Sequence, residues 1–163
     1  METQQRTQIL FIVRLLPWIE KLAVVMLIVS AVMMLLNLPF TEFVMISLST
    51  LAIVFFLNAQ LLPPIERKDE APLGFNELLT FTILPKVLWI SASVSTIGLL
   101  FQILGLSGFE QMLLIGGSSL SVALLLLLIQ VIINGVGSLK LFQGVLMRVI
   151  PILVIAVYLL LKS

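Results

Sequence analysis

Long apolar stretches without charge dominate this chain of 163 residues. No Asp, Glu, Lys, Arg or His occurs in residues 22–36, 43–57, 87–104 or 112–133. A helix of about 20 apolar residues crosses the ~30 Å hydrocarbon layer of a bilayer and satisfies its own backbone hydrogen bonds there. Burying these stretches in a water-soluble domain would leave almost no polar surface to cover it. The sequence therefore predicts an all-α, polytopic transmembrane helical bundle.

The pattern predicts five spans. The first occupies residues 7–36, and its front part, broken by Arg14, Pro17 and Glu20, either lies at the interface or extends the spanning helix with a kink. Arg148 lies one third of the way along the last segment, from where an arginine can still snorkel to the headgroups. A fifth span is therefore the main prediction, and four spans with an interfacial helix are the alternative. The other spans are predicted at 42–62, 76–104, 110–134 and 139–161.

The distribution of Lys and Arg predicts the orientation. The only strongly hydrophilic stretch is the loop 63–75, and no room remains for a second domain, so we expect a single transmembrane domain over 1–163. Basic residues flank the N-terminus, this loop and the junction before the last segment, whereas the turns 37–42 and 105–110 carry acids and no base. By the positive-inside rule, the N-terminus and the loop face the cytoplasm of a cell whose inner (plasma) membrane holds the protein. No cleavage site of a removable signal peptide is expected.

An internal repeat is indicated by weak self-similarity. Aligning Lys21 with Lys86 places Ser30 on Ser95, and the second copy is then four residues longer across its turn. Prolines 17, 85 and 151 are 68 and 66 residues apart. The chain is therefore interpreted as a hairpin at about 8–62, a second hairpin at about 76–134 and the first half of a third unit, with chance similarity of Leu-rich helices as the alternative.

Small and polar residues inside the spans predict packing faces. They lie at spacings of three and four, which places them on one side of a helix. Close backbone approach and interhelical hydrogen bonds hold membrane helices together, because lipid provides no hydrophobic drive between them. The alternative is a polar permeation path or a ligand pocket along the same faces. The residues are Ser91, Ser95, Gly98 and Gln102 in the third span, Gly117 and Ser121 in the fourth, and Ser30 and Asn37 in the first.

Reaction chemistry is scarce in the sequence. The chain has no His and no Cys, and its carboxylates are expected at span ends, in turns or in the charged loop. We therefore expect no enzyme activity, no metal, no cofactor and, with a net charge of +1 and no basic run, no nucleic-acid partner. Four bases are candidates for contacts with lipid headgroups, with ordinary anchoring of the topology as the plainer interpretation: Arg14, Lys21, Lys86 and Arg148.

One stretch resembles a known hairpin. Ile97–Ile103, then Gly108-Phe109, then Leu113–Gly116 are similar to the helix–turn–helix of small Bacteroidetes inner-membrane proteins of the gliding motility protein L type. The resemblance covers about 20 residues and implies an inner-membrane helical hairpin. Gln102 replaces the basic residue of that pattern, its His-Trp-Pro-Gly turn is absent, and the second helix lacks the glutamate of the proton-coupled motor. Motor function is therefore not implied.

These observations favour a non-catalytic role. The expected function is a structural or assembly subunit that packs against other transmembrane subunits, or against itself, with membrane lipid around it. The first alternative is a small transporter or channel with a path lined by Ser, Thr and amide side chains between the repeats. The second is a lipid-binding or immunity-type membrane protein that holds anionic headgroups with its bases.

Overall fold

A computed structural model describes residues 2–61, 78–134 and 137–162, with side chains at 11–61, 78–79, 82–132 and 142–161. Every element in these ranges is helical. The predicted charged loop 63–75 lies outside the described residues. The elements are α1 (Glu2–Leu35), α2 (Thr41–Leu61), a π-helical turn (Leu79–Ile83), α3 (Leu84–Ile103), α4 (Phe109–Asn134) and α5 (Gly137–Lys162).

Each of the five α-helices contains a stretch long and apolar enough to cross a membrane. The protein is thus a multi-pass membrane protein, and the prediction of five spans is confirmed. Helix α1 runs unbroken past Pro17, so the front part of the first segment extends the helix. The α1–α2 and α3–α4 connections share one side of the bundle, called the turn side below, and the opposite side is called the N-terminal side. The spanning stretches are Phe11–Leu35, Thr41–Leu61, Leu84–Ile103, Phe109–Ile132 and Phe142–Leu161.

Helix α3 forms the centre of the bundle. It packs against α2, α4 and α5, whereas α1 packs mainly on α2 and α5 mainly on α4 and α3. In an apolar window of 18 residues within the spanning stretch of α3, 56% of the residues are buried, compared with 17% in the window of α1 and 11% in that of α5. Helices α1 and α5 are therefore the peripheral spans, and most of their surface faces lipid.

Helix α1 ends in a Schellman motif, a helix stop in which one residue adopts a left-handed conformation. Asn37 has a φ of 55°, and its N–H donates to the carbonyl of Met34 at 3.2 Å. The N–H of Leu38 donates to the carbonyl of Met33 at 2.9 Å. Asparagine is one of the few residues besides glycine that tolerates this conformation. Asn37 was predicted on a packing face, but the structure places it in the helix stop.

Helix α3 ends in the same motif. Gly105 has a φ of 65° and donates to the carbonyl of Gln102 at 3.0 Å, while Leu106 donates to the carbonyl of Phe101 at 2.9 Å. Gly105 follows Asn37 by 68 residues. The next helices, α2 and α4, also begin 68 residues apart. The two hairpins therefore share one turn geometry without any insertion.

The spacing of 68 also relates the inward faces of α1 and α3. The residues of α1 on this face are buried, apart from the partly buried Leu27. The sequence alignment of Lys21 with Lys86, which needed four extra residues in the second turn, differs from this spacing, and the internal repeat stays a prediction. The face consists of Leu16, Glu20, Ala23, Leu27 and Ser30 in α1 and of Leu84, Leu88, Ser91, Ser95 and Gly98 in α3.

Candidate functional site

Helices α3 and α4 approach each other most closely at two glycines. A Cβ added to Gly98 would lie 3.0 Å from the backbone nitrogen of Leu113. A Cβ added to Gly116 would lie 2.7 Å from the backbone nitrogen of Ser95. Real Cβ atoms essentially never lie as close to backbone as 2.7 Å, so Gly116 admits only glycine at this helix separation. At Gly98 an added Cβ would be unusually tight, and Leu113 would have to move by a few tenths of an ångström. Each helix thus contributes one glycine to the contact.

The two glycine contacts set the register of the antiparallel α3–α4 seam. Residues on both helices follow one another at alternating spacings of four and three, the pattern of a coiled-coil seam. The predicted face of α3 lies in this seam, with Ser91, Ser95 and Gly98 buried and Gln102 half-buried at its turn-side end. Extending the register of these two contacts along both helices pairs Leu84, Leu88, Ser91, Ser95, Gly98 and Gln102 of α3 with Leu127, Ala123, Leu120, Gly116, Leu113 and Phe109 of α4.

The predicted pair on α4 lies one position away from this seam. A Cβ on Gly117 would meet no atom within 4 Å, so Gly117 is not the point of close approach. The half-buried Ser121 donates its hydroxyl to the carbonyl of Gly117 on its own helix at 2.8 Å. Gly116 takes the role that the sequence analysis gave to Gly117, because the spacing of four and three runs from Leu113 through Gly116 to Leu120.

Hydroxyl groups in the spans bond mostly to their own helices. Ser30 donates to the carbonyl of Leu27 at 2.7 Å, and Thr96 donates to that of Ala92 at 2.8 Å. Ser93 is different, because it donates across the helix contact to the carbonyl of Ala52 in α2 at 2.8 Å. This bond joins α3 to α2 in the apolar interior, and the sequence analysis did not single out Ser93.

An ion pair lies inside the spans on the N-terminal side. Arg148 Nε in α5 is 2.6 Å from Glu20 Oε1 in α1. At about 1.5 Å per residue, Glu20 lies ~22 Å along its helix from Leu35, and Arg148 lies ~20 Å from Leu161, so the two share one depth. The Glu20 side chain is 9% exposed and that of Arg148 is 41% exposed. The prediction that every carboxylate lies at a span end, a turn or the loop is therefore wrong for Glu20.

Aromatic rings from the two inner helices lie next to this ion pair. The Arg148 guanidinium lies 5.8 Å from the ring centroid of the buried Trp89 in α3. Phe55 of α2 packs on Trp89 with ring centroids 5.5 Å apart. A cation above an aromatic face is stabilised by the ring quadrupole, and more so away from water. Side chains of α1, α2, α3 and α5 thus meet at one depth.

The other predicted headgroup contacts lie at the surface. Arg14, Lys21 and Lys86 are exposed, and the Lys21 ammonium lies 5.4 Å from the ring centroid of Trp18. Lys21 follows Glu20 directly, so its ammonium reaches the headgroups only by snorkelling along the helix surface. These three positions fit contacts with headgroups, which remain a prediction, whereas Arg148 contacts Glu20 and exposes less than half of its side chain.

An apolar groove opens between α1 and α5 on the turn side. Its volume is about 570 Å³, and α2 and α3 form its floor. Ser30 and Gln102, two of the predicted polar residues, both line it. The ion pair joins α1 and α5 on the N-terminal side, and the groove shows that they separate towards the turns. The apolar lining includes Leu27, Ala31, Phe40, Leu48, Leu99 and Leu159.

Comparison with known proteins adds no family assignment. The chain matches no protein-family model, no curated protein and no solved structure. The resemblance to the gliding motility protein L type therefore stays a prediction. Within the described residues, no group of three or more His, Cys, Asp or Glu side chains could hold a metal ion.

Proposed function

We propose that the protein is a non-catalytic integral membrane subunit that packs against other transmembrane helices. The observation that carries this proposal is how the polar groups of the spans are used. Ser91, Ser95 and Gly98 lie in the α3–α4 seam, and Glu20 is paired with Arg148. The small residues of the seam let α3 and α4 approach closely, the ion pair joins α1 to α5, and the outer faces of the bundle are apolar helix surfaces.

We infer that the protein lies in the inner (plasma) membrane with its N-terminal side in the cytoplasm. Support comes from the bases, since Arg14, Lys21 and Lys86 lie on the N-terminal side of the described helices. The turns between α1 and α2 and between α3 and α4 carry Glu42 and Glu110 and no base. Single cysteines placed at Arg14 and Ser107, labelled with an impermeant maleimide in whole cells, test this orientation. Only the cysteine at Ser107 should react from outside.

Purification from native membranes under mild detergent, followed by mass spectrometry of the intact complex, tests the proposed function. We expect a complex that contains either other membrane proteins or several copies of this chain. A monomer without any partner, obtained under conditions that keep known membrane complexes intact, would contradict the proposal. Cross-linking in membranes before solubilisation controls for complexes that detergent dissociates.

Lipid binding is a second candidate function, and the groove between α1 and α5 favours it. An apolar groove open to the bilayer, with only Ser30 and Gln102 as polar lining, has the chemistry of an acyl-chain site. Ala31 lines the groove and neighbouring Val32 does not. The Ala31→Trp variant should therefore lose co-purified lipid, and Val32→Trp should retain it, when bound lipids are counted by native mass spectrometry. Equal lipid content in the two variants would contradict a specific site.

Support for transport is weaker. The alternative requires the Ser- and amide-bearing faces to border a polar path, but Ser95 contacts α4 at Gly116 and Ser91 is buried on the same face of α3. Flux in liposomes that contain only the pure protein tests it directly. Ser95→Ala serves as the matched variant, since a path along this face predicts altered flux and a packing role predicts unchanged, background flux.

A further inference from the structure

The groove between α1 and α5 has an inner end within the hydrocarbon layer. Of the residues that line it, Leu27 lies farthest from the turn side, ~12 Å along α1 from Leu35. Leu27 and Ile152 of α5 pack against both apolar clusters of the core, the one on the turn side and the one on the N-terminal side. Beyond them, Ala23 is buried and the ion pair joins the two helices. The groove is therefore open to the turn-side leaflet of the bilayer and closed towards the other leaflet.

Four helices form the walls of the groove. Ala31 of α1, Val44 of α2, Leu99 of α3 and Ile155 of α5 all line it. The hydrocarbon layer contains no water, so lipid chains are what fills an apolar groove there. A chain in the groove contacts all four helices, whereas a chain on the outer surface of α1 or α5 contacts that helix alone. Dispersion attraction grows with the number of atoms in contact, so the groove should retain its lipid more strongly than the outer surface does.

Gln102 adds a hydrogen-bonding group to this apolar groove. Its half-buried side chain lines the groove, ~1.5 Å along α3 from Ile103, the last residue of the span. Within residues 2–61, 78–134 and 137–162 its amide makes no hydrogen bond, whereas Ser30 donates to the carbonyl of Leu27. An amide has two N–H donors, and leaving them unpaired in apolar surroundings costs free energy. At this depth, where hydrocarbon meets the headgroup region, the ester carbonyl of a glycerophospholipid is an acceptor that the membrane supplies.

We propose that the groove binds an ester-linked glycerophospholipid of the turn-side leaflet, with one acyl chain between α1 and α5 and an ester carbonyl hydrogen-bonded to the Gln102 amide. This proposal rests on the lipid-binding candidate described above, and it adds the leaflet, the linkage of the chain and the residue that recognises that linkage. An ether-linked lipid with the same chains fills the groove equally well, but it has no carbonyl and leaves the Gln102 amide unpaired. Gln102 is therefore a specificity-determining residue of the site.

Competition between ester-linked and ether-linked phosphatidylcholine with the same chains tests the role of Gln102. The purified protein is exchanged into an equimolar mixture of the two lipids, and the bound lipids are counted by native mass spectrometry. We expect the natural protein to bind the ester lipid about fivefold more than the ether lipid, which corresponds to the usual net contribution of one hydrogen bond. Gln102→Leu should bind both lipids equally. Gln111→Leu, which removes an exposed amide outside the groove, is the control and should keep the preference.

Photo-cross-linking tests the leaflet and the direction of the chain. Two phosphatidylcholines carry a diazirine on the acyl chain, either close to the ester carbonyl or at the methyl end, and the cross-linked residues are identified by mass spectrometry. The probe close to the ester should label Gln102 and Ile103, and the probe at the methyl end should label Leu27 and Leu48, the deeper lining residues. A chain from the opposite leaflet would reverse this order. The Ala31→Trp variant blocks the groove and should lose both labels.

Equal binding of the two lipids by the natural protein would overturn the proposal. So would a preference that Gln102→Leu keeps or that Gln111→Leu loses, or labelling in the reverse order. Because the ratio of the two lipids is measured within each variant, a partial loss of folded protein does not affect it. If Ala31→Trp loses lipid and Val32→Trp does not, but the ester preference is absent, lipid binding stands and the role of Gln102 fails. Equal lipid content in Ala31→Trp and Val32→Trp would remove both proposals.

Discussion

The α3–α4 contact and the α1–α5 side show two ways to hold membrane helices together. The first is closed along its length, with Gly98 and Gly116 letting backbone meet backbone. The second is held by one ion pair, Glu20 with Arg148. On the turn side of this pair, α1 and α5 separate and form the groove. The hydrophobic effect does not bring helices together in lipid. Helix contacts there are stabilised by close packing at small residues and by polar interactions between helices.

The difference explains which parts of the bundle are available to partners. Close packing in the seam encloses α3, whereas α1 and α5 expose most of their spanning surface. The α3–α4 seam fixes the fold. The α1–α5 side has the groove and two helices that are joined by the ion pair. Comparing substitutions in the two regions therefore tests the division between a structural centre and an interacting edge.

The largest effect is expected at Gly116. Gly116→Ala forces the added Cβ against the backbone of Ser95 and should destabilise the fold by about 3 kcal/mol, the upper part of the usual range for overpacking. The control is Gly117→Ala, where the Cβ meets no neighbour and helix propensity should add about 1 kcal/mol of stability. Titration with SDS in mixed micelles measures both free energies of unfolding. Equal destabilisation would refute the register of the seam.

The next largest effect is expected at Arg148. Arg148→Gln leaves the buried Glu20 carboxylate without its partner, at a cost of about 2 kcal/mol, below the range for fully buried pairs because Arg148 is partly exposed. Thermal melting in detergent, followed by circular dichroism, gives the change in stability.

A double substitution serves as the control for the ion pair. In the structural register of 68, Glu20 corresponds to Leu88, so leucine fits this place in the second hairpin. Replacing both Glu20 and Arg148 by Leu should bring the free energy of unfolding to within about 1 kcal/mol of that of the natural protein. The reason is that a buried ion pair is often no more stabilising than packed apolar residues. If the double variant is as unstable as Arg148→Gln, the loss of stability does not come from an unpaired Glu20 charge, and the ion pair itself stabilises the fold.

The spans were predicted well from the sequence, because each of them has to meet the same simple requirement of length and apolar composition. Twenty or so uncharged apolar residues must cross the hydrocarbon, and this is visible without any knowledge of neighbouring helices. The face of α3 with Ser91, Ser95 and Gly98 was also predictable, since its spacing of four and three continues to Gln102 over about three turns.

The sequence did not reveal which partner each face meets. Glu20 looked like a span-end residue because Arg14 and Lys21 surround it, and only the packing of α1 near α5 brings Arg148 to it. Gly116 and Gly117 are adjacent and chemically identical, so a shift of one position decides which of them meets Ser95. The alternating spacing from Leu113 to Leu120 was the signal that could have selected Gly116.

A smaller effect is expected at Ser93, which tests whether polar bonds between helices matter in the closed centre. Ser93→Ala removes the interhelical hydrogen bond to Ala52 and should cost about 1 kcal/mol, within the range for such bonds in membranes. Thr96→Ser is the control, because its hydroxyl still bonds to its own helix at Ala92. Mixed-micelle titration separates the two. No difference between the variants would mean that packing alone joins α3 to α2.

The smallest effect is expected from exchanging the residues of the two helix stops. Asn37 borders the open side and Gly105 the closed seam, yet both adopt the left-handed conformation with the same pair of backbone bonds. Asn37→Gly should change the free energy of unfolding by only about 0.5 kcal/mol. Asn37→Ala should lower it by about 1 kcal/mol, because the Cβ of alanine is sterically strained at positive φ. If Asn37→Gly closed the groove, as judged by loss of bound lipid in native mass spectrometry, the turn would set the gap between α1 and α5. Unchanged lipid binding would assign the gap to the helix contacts themselves, which is the outcome expected from the shared turn geometry.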